Sequence, residues 1–198
     1  MRSAIILAGG KSTRINMNKS MAQIGNKKMI EHVLDNVSGI VDEVLVVAGD
    51  VGQREKISTV ICGARLTYDS IPGYGPVAGI LAGLQCAKGD YVMVVACDMP
   101  FVNPDVVDFL FSLAEGYDAV VPRWPDGNIE PLHAIYKRKS GIKACEGAIQ
   151  KDDRRIISPL KALSRVMYVS MEKIKEIDPE LRTFINVNTM ADLERISK

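Results

Sequence analysis

Four apolar runs rich in β-branched residues punctuate the first 122 residues: "AIILA" at 4–8, "EVLVVAG" at 43–49, "YVMVVAC" at 91–97 and "DAVVP" at 118–122. Runs this short, with no alternating polar face, suit strands buried on both sides. Helical patterns separate them, at 29–37, at 76–87 with Pro76 in the first turn, and at 104–114 with Asn103 as the cap. The alternation predicts an α/β fold whose sheet is covered on both faces. Ligands of such sheets bind beyond the carboxyl ends of the strands. Gly9, Gly10 and Asp98 fall at those ends.

After residue 122 the rhythm changes. "IEPLHAIY" at 129–136 alternates like a strand, 141–151 reads as helical, and "RVMYVS" at 165–170 and "FINV" at 184–187 read as short strands. This half is expected to form a further layer of loops and short strands over the first. No repeat or Pro/Gly-rich linker divides the 198 residues, which are 47% hydrophobic and 25% charged, enough for one well-buried core. The chain is therefore read as one domain, 1–198, with a nucleotide-binding half at 1–122 and a second half at 123–198.

A net charge of +1 provides no basic field for nucleic acid or a membrane surface, so the cations gathered between residues 11 and 28 carry local meaning. Cysteines 62, 86, 97 and 145 have no C-x-x-C spacing, which argues against a disulfide framework or a zinc site, and Cys97 reads as core. The amino-terminal stretch has neither the apolar length nor the cleavage pattern of a signal peptide, and no segment is long enough to span a bilayer. A cytoplasmic location is expected.

Three elements point to chemistry. "AIILAGGKSTRINMNKS" at 4–20 ends a strand in two glycines and then offers Lys11, Arg14 and Lys19. A Walker A loop would need glycine where Ile5 stands, and the dinucleotide pattern G-x-G-x-x-G is absent. What remains resembles a triphosphate cradle of another kind, with bare backbone N–H groups and three cations. "DSIPGYGPVAGI" at 69–80 runs from Asp69 through a tight turn into a helix whose positive end could face a base or phosphate. "VVACDMP" at 94–100 delivers Asp98 to the sheet edge, where a carboxylate suits a magnesium ion that already carries phosphates. Each element alone has a plainer reading, as a glycine turn with a solvated basic loop, a helix start, or a strand-end turn residue. All three at carboxyl ends of one sheet favour a shared site. His32, after Glu31 in a helix, reads as a surface residue, and His133 as a packing residue.

Together, "LAGGKSTR" with Lys19, "DSIPGYGPVAG", "CDMP", "EPLHAIY" and "FINVNTMADLE" resemble the molybdenum cofactor guanylyltransferases, of the nucleotide-diphospho-sugar transferase fold. The resemblance spans nearly the whole chain. It implies a Rossmann-like three-layer sandwich with a mostly parallel mixed sheet, and an acceptor-binding second half. It further implies transfer of GMP from GTP to molybdopterin with Mg2+, and transient contact with cofactor-handling proteins. By matching position, Leu7, Ala8, Gly9, Gly10 and Lys11 would line the nucleotide, and Lys19 and Arg14 would neutralise its phosphates. Asp69 and Gly79 would belong to the nucleoside site, Asp98 would hold magnesium, and Asn186 and Asn188 would lie near the pterin or the metal. Glu130, Pro131 and Leu132 would wall the acceptor side, and Arg154 and Arg155 would meet its phosphate.

Departures are informative. Where relatives read Arg-Met-Gly-x-Asp-Lys, this chain has Arg14-Ile15-Asn16-Met17-Asn18-Lys19, so a glycine and a carboxylate are both asparagine. Asparagine tolerates a left-handed backbone, which preserves the turn, while a local negative charge is lost. Gly9, where cytidylyl-transferring relatives carry alanine, leaves room for a purine and favours guanine. The rival expectations are a nucleotidyltransferase acting on another phosphorylated small molecule, with cytidylyl transfer included, and a GTP-binding protein without turnover.

Overall fold

The computed structural model describes residues 1–9, 19–69, 71, 74–189 and 192. Nine strands are present among them: β1 (Arg2–Leu7), β2 (Gln23–Ile24), β3 (Lys27–Lys28), β4 (Glu43–Ala48), β5 (Arg65–Tyr68), β6 (Tyr91–Ala96), β7 (Ala119–Arg123), β8 (His133–Lys137) and β9 (Val166–Ser170). The helices are α1 (Met29–Ser38), α2 (Val51–Ser58), α3 (Pro76–Cys86), α4 (Pro104–Ser112), α5 (Arg138–Gln150), α6 (Ser158–Ala162) and α7 (Met171–Lys175). Seven strands form one sheet in the order β5-β4-β1-β6-β8-β7-β9, and β2 and β3 form a separate hairpin. β8 alone runs against its neighbours in the large sheet, so the carboxyl ends of the other six share an edge with the start of β8.

Both faces of the sheet are covered. Ala4 and Ile6 pack with Val33 and Val37 of α1, Ile57 of α2, Val107 of α4 and Ile174 of α7. Ile5 and Leu7, the alternate residues of the same strand, pack with Val77, Ile80 and Leu84 of α3, Cys145 of α5 and Leu160 of α6. This period of two, apolar in both directions, is what the unbroken apolar runs require. The result is the three-layer α/β sandwich with a mostly parallel mixed sheet. α3 lies close on β1 because Gly79 and Gly83 face it: a Cβ at Gly83 would fall 2.7 Å from Ile5 Cδ1, and one at Gly79 would fall 3.3 Å from Leu7 Cδ2. No helix among the described residues is long and apolar enough to cross a membrane.

The helices expected at 29–37, 76–87 and 104–114 form within two residues of those bounds, and the Asn103 side chain accepts from Asp105 N–H at 2.9 Å as the predicted cap. The second half departs from expectation. β8 and β9 join the same sheet on either side of the expected strand β7 instead of lying over it, because "HAIY" is buried on both faces and pairs directly with the edge of β6. That strand starts at His133, since Pro131 has no N–H for a ladder and Glu130 N–H turns back to Pro122 C=O at 3.0 Å. "FINV" is not a strand: Arg182–Phe184 is a 3-10 turn, and the chain then runs beside Asp98 through single contacts.

Candidate functional site

Three segments remote in sequence meet at the carboxyl edge between β1 and β6. Lys19 opens a 3-10 turn, Lys19–Met21, which is tied to the β2–β3 hairpin and α1 by Ala22 N–H on Lys19 C=O (3.0 Å) and Met29 N–H on Ala22 C=O (2.8 Å). Asp98 stands two residues past the end of β6, where Cys97 N–H donates to Leu7 C=O at 3.0 Å. The segment 185–188 crosses this edge, with Val187 N–H donating to Asp98 C=O at 2.8 Å and the Val187 side chain buried among Ala22, Ile24 and Met29. Lys19 Nζ thereby lies 2.6 Å from Asn188 Oδ1 and 3.4 Å from Asp98 Oδ2. Both charged side chains keep about a fifth of their surface exposed, 21% each, so the pair is neither sealed nor fully screened. An ammonium held by a carboxylate and an amide oxygen at an open sheet edge is equipped to take up phosphate oxygens.

The exits of β1, β4 and β5 make the adjoining part of the edge. Ala8 N–H donates to Val47 C=O (2.9 Å) and Asp69 N–H to Ala48 C=O (2.8 Å). Gln53 of α2 reaches across, donating through Nε2 to Ala8 C=O at 2.7 Å and accepting from Gly49 N–H at 2.6 Å. Gly9 abuts this junction: a Cβ there would lie 3.0 Å from Gly49 Cα and 3.1 Å from Gly49 N. Strand-end packing thus favours glycine here, since a side chain would need the backbone at Gly49 to give by a few tenths of an ångström. The Leu7 side chain is buried in the core and Gly79 is buried against it. Asp69 accepts Ile71 N–H at 2.8 Å, and partial burial raises its carboxyl above the usual range despite that bond.

Side chains dominate on the far side of Asp98. Glu130 accepts the Trp124 indole N–H at 2.6 Å, and burial raises its carboxyl above the usual value. Pro131 C=O accepts the Tyr136 hydroxyl at 2.9 Å, and Leu132 C=O accepts Ala96 N–H at 3.2 Å, next to the Asp98 turn. Phe184 stacks edge-on against both Trp124 (5.8 Å) and His133 (4.9 Å). His133 is a packing residue, as expected. It is fully buried, with Nε2 3.2 Å from Thr183 Oγ1 and Nδ1 unpartnered, and desolvation lowers its pKa to about 3. Thr183 in turn accepts Asn103 N–H at 3.0 Å, and its own N–H donates to Asp178 at 2.8 Å. Cys97 is core as predicted, and burial pushes its thiol up to about 12, as it does that of Cys145. His32 is half-buried, with Nε2 2.9 Å from Ile24 C=O, so it braces the hairpin instead of facing water.

Asn186 sits beside Val187 with its amide on Phe184 C=O at 3.3 Å. Arg154 and Arg155 are exposed and paired with Asp152 (3.1 Å) and Asp153 (2.6 Å), and the Arg154 guanidinium lies 5.2 Å from the Tyr74 ring, bringing that turn to the start of α3. Gly10, Lys11, Arg14, Asn16 and Asn18 lie outside the described residues. Among the described residues no cluster of three or more His, Cys, Asp or Glu side chains could hold a metal, so at this edge a hard cation would find the Asp98 carboxylate with the Asn188 amide oxygen nearby. Gln53, Trp124 and Thr183 were not singled out by motif reading. For Gln53 the signal was present in Asp50-x-x-Gln53, a helix-capping spacing that conceals a second use of the glutamine.

A family profile described as a MobA-like NTP transferase domain matches residues 4–166. Among curated relatives, a probable molybdenum cofactor guanylyltransferase of Methanosarcina mazei is 40% identical over 201 residues, covering 98% of this chain and 89% of the relative. One of the same name from Natronomonas pharaonis is 36% identical over 197 residues, covering 98% and 96%. The crystal structure of molybdopterin-guanine dinucleotide biosynthesis protein A from Archaeoglobus fulgidus superposes with a TM-score of 0.85 at 36% identity, covering 100% of this chain and 97% of that one. A cytidylyltransferase from Thermus thermophilus, at 19% identity and a TM-score of 0.71, shares the fold.

Proposed function

The chain belongs to the MobA-like NTP transferase family, and from that membership we propose that it transfers GMP from GTP to molybdopterin, forming the guanine dinucleotide cofactor and pyrophosphate. The observation that carries this reading is the meeting of Lys19, Asp98 and Asn188 at one open edge of the sheet. In the reaction an oxygen of the acceptor's terminal phosphate forms a bond to the α-phosphorus of GTP. The bond from that phosphorus to the bridging oxygen breaks, and pyrophosphate leaves with the electron pair. An acceptor phosphate is already ionised at neutral pH, so alignment and charge neutralisation suffice and no general base is required. The buried His133 and the protonated Cys97 and Cys145 agree with that.

Lys19 neutralises the phosphate charge, and Asn188 holds its ammonium in place. Lys11 and Arg14 complete the cation set, and the exits of β1, β4 and β5, with Asp69, receive the nucleoside. Glu130, Pro131, Leu132, Asn186 and the Arg154–Arg155 turn bound the acceptor side. Asp98 fits Mg2+ as one carboxylate for a cation that arrives with phosphates, and when bound that ion supplies neutralisation of the triphosphate. The test is incubation of the purified protein with molybdopterin and equimolar GTP, CTP and ATP, with product mass and pyrophosphate measured. Incorporation of GMP is expected. Equal CMP incorporation overturns the guanine assignment, and GTP binding without pyrophosphate release overturns turnover.

A further inference from the structure

In a parallel pair the hydrogen bonds alternate from strand to strand, so the bond from Ala8 N–H to Val47 C=O should be followed by one from Gly49 N–H to Ala8 C=O. That bond is replaced. The carboxamide of Gln53 stands between the two groups, accepting from Gly49 N–H at 2.6 Å and donating to Ala8 C=O at 2.7 Å. A side chain thus acts as an inserted peptide group that ends the β1–β4 ladder at the residue before Gly9. The insertion satisfies both main-chain groups while the two strands part, and it is anchored at its other end, where Asp50 Oδ1 accepts Gln53 N–H at 2.8 Å. Gly9 and Gly49, so placed that a Cβ on Gly9 would lie 3.0 Å from Gly49 Cα, are held in register by it.

We infer that Gln53 is a positioning residue for the donor nucleotide: by closing the β1–β4 ladder with its carboxamide, it fixes where the backbone at Gly9 departs from the sheet to meet the nucleoside. The inference rests on the nucleotidyltransferase reading above. It separates a donor role from an acceptor role, because Gln53 lies on the β4 side of β1, whereas Glu130, Pro131 and Leu132 lead into β8 on the other side of β6. Both functions of the amide are needed. A carboxylate at this place accepts from Gly49 N–H but faces Ala8 C=O with no proton to give, and a thioether does neither.

The experiment compares the wild-type chain with Gln53→Glu and Gln53→Met, measuring KM for GTP, KM for molybdopterin, kcat, direct binding of GTP and CTP, and the melting temperature. Both variants should raise KM and the dissociation constant for GTP by about tenfold, the scale of one lost or unpaired hydrogen bond, and leave KM for molybdopterin unchanged. The ratio of GTP to CTP affinity should shrink as well, a change that lost stability alone does not produce. Folded variants that bind GTP with wild-type affinity and selectivity overturn the inference. If Gln53→Met fails to fold, the near-isosteric Gln53→Glu carries the same test. Wild-type protein that binds neither nucleotide overturns the underlying reading, an outcome distinct from wild-type binding that the variants retain.

Discussion

Around the exits of β1, β4 and β5 the polar contacts run mostly between main-chain groups, with one glutamine inserted among them. Around β8 and the 182–188 segment they run through side chains, with Glu130 on Trp124, Thr183 between Asn103 and His133, and Lys19 on Asn188. The difference follows from topology. Parallel strands entering one edge together bring backbone groups into register, and glycines let them approach. β8 has its own antiparallel register with β6, but the turn that leads into it at 130–132 and the irregular 182–188 segment lie outside any ladder, so side chains fix much of their position. Main chain cannot be deleted by mutation, whereas a side chain can. The closing side should therefore respond more sharply to single substitutions than the donor side does.

The strongest break in the comparison is at its seam. Asp98→Ala should fold normally, by circular dichroism, and lose more than about 100-fold in turnover, because the edge loses its carboxylate donor and Lys19 loses its ion-pair partner. Activity within a few-fold of wild type would remove Asp98 from the machinery. The next largest effect is on acid stability. Folded His133 has its pKa lowered to about 3 by desolvation, against 6.5 in an unfolded chain, so between those values the unfolded state binds the extra proton. Stability should fall as pH drops from 6.5 towards 3, with His133 contributing a slope of up to about 1.4 kcal/mol per pH unit. Denaturant titrations at pH 7, 6, 5 and 4 should show a shallower slope in His133→Gln than in the wild type, and equal slopes would refute the assignment.

Thr183→Val sharpens the same contrast without changing charge. It removes the partner of the half-buried Asn103 N–H and of the buried His133 Nε2 for the loss of one hydroxyl, at a cost of about 2–3 kcal/mol in chemical unfolding, and Thr183→Ser should recover most of it. The smallest effect expected is for Val187→Ala, about 1.5–2 kcal/mol from two methyl groups removed from a satellite cluster. It should raise KM for the acceptor more than KM for GTP. An equal rise in both would show that the two sides are not separable.

How much was legible depended on how locally each feature is encoded. The parallel strands could be read from four apolar runs, because burial on both faces writes itself into consecutive residues. Asn103 could be read as a cap because its partner Asp105 is two residues away. The placement of β8 could not, since "IEPLHAIY" states a tendency to extend but not which edge it joins. "FINV" misled for a related reason: its apolar residues serve contacts with Trp124, His133 and the Lys19 hairpin, not a ladder. Lys19 and Asp98 were legible from their positions after strands. The resemblance puts Asn188 near the pterin or the metal, but its contact with Lys19, across 169 residues, is not written in either residue's surroundings, and Gln53 was missed because its capping pattern explains the residue without the inserted bond.

The bond from Val187 N–H to Asp98 C=O has a consequence for how the site can be watched. Its amide proton exchanges with deuterium only when that carbonyl lets go, so its exchange rate counts the molecules in which the edge has come undone. Among the described residues the segment is held to the Asp98 turn by that bond, one small apolar cluster and a lysine contact, while the sheet beneath is held by whole ladders. Openings with so few supports cost less than global unfolding and occur far more often. Hydrogen exchange at Val187 should therefore be faster than at the core strands. A ligand that bridges Lys19 and Asn188 should suppress those openings and slow the exchange of a proton it never touches.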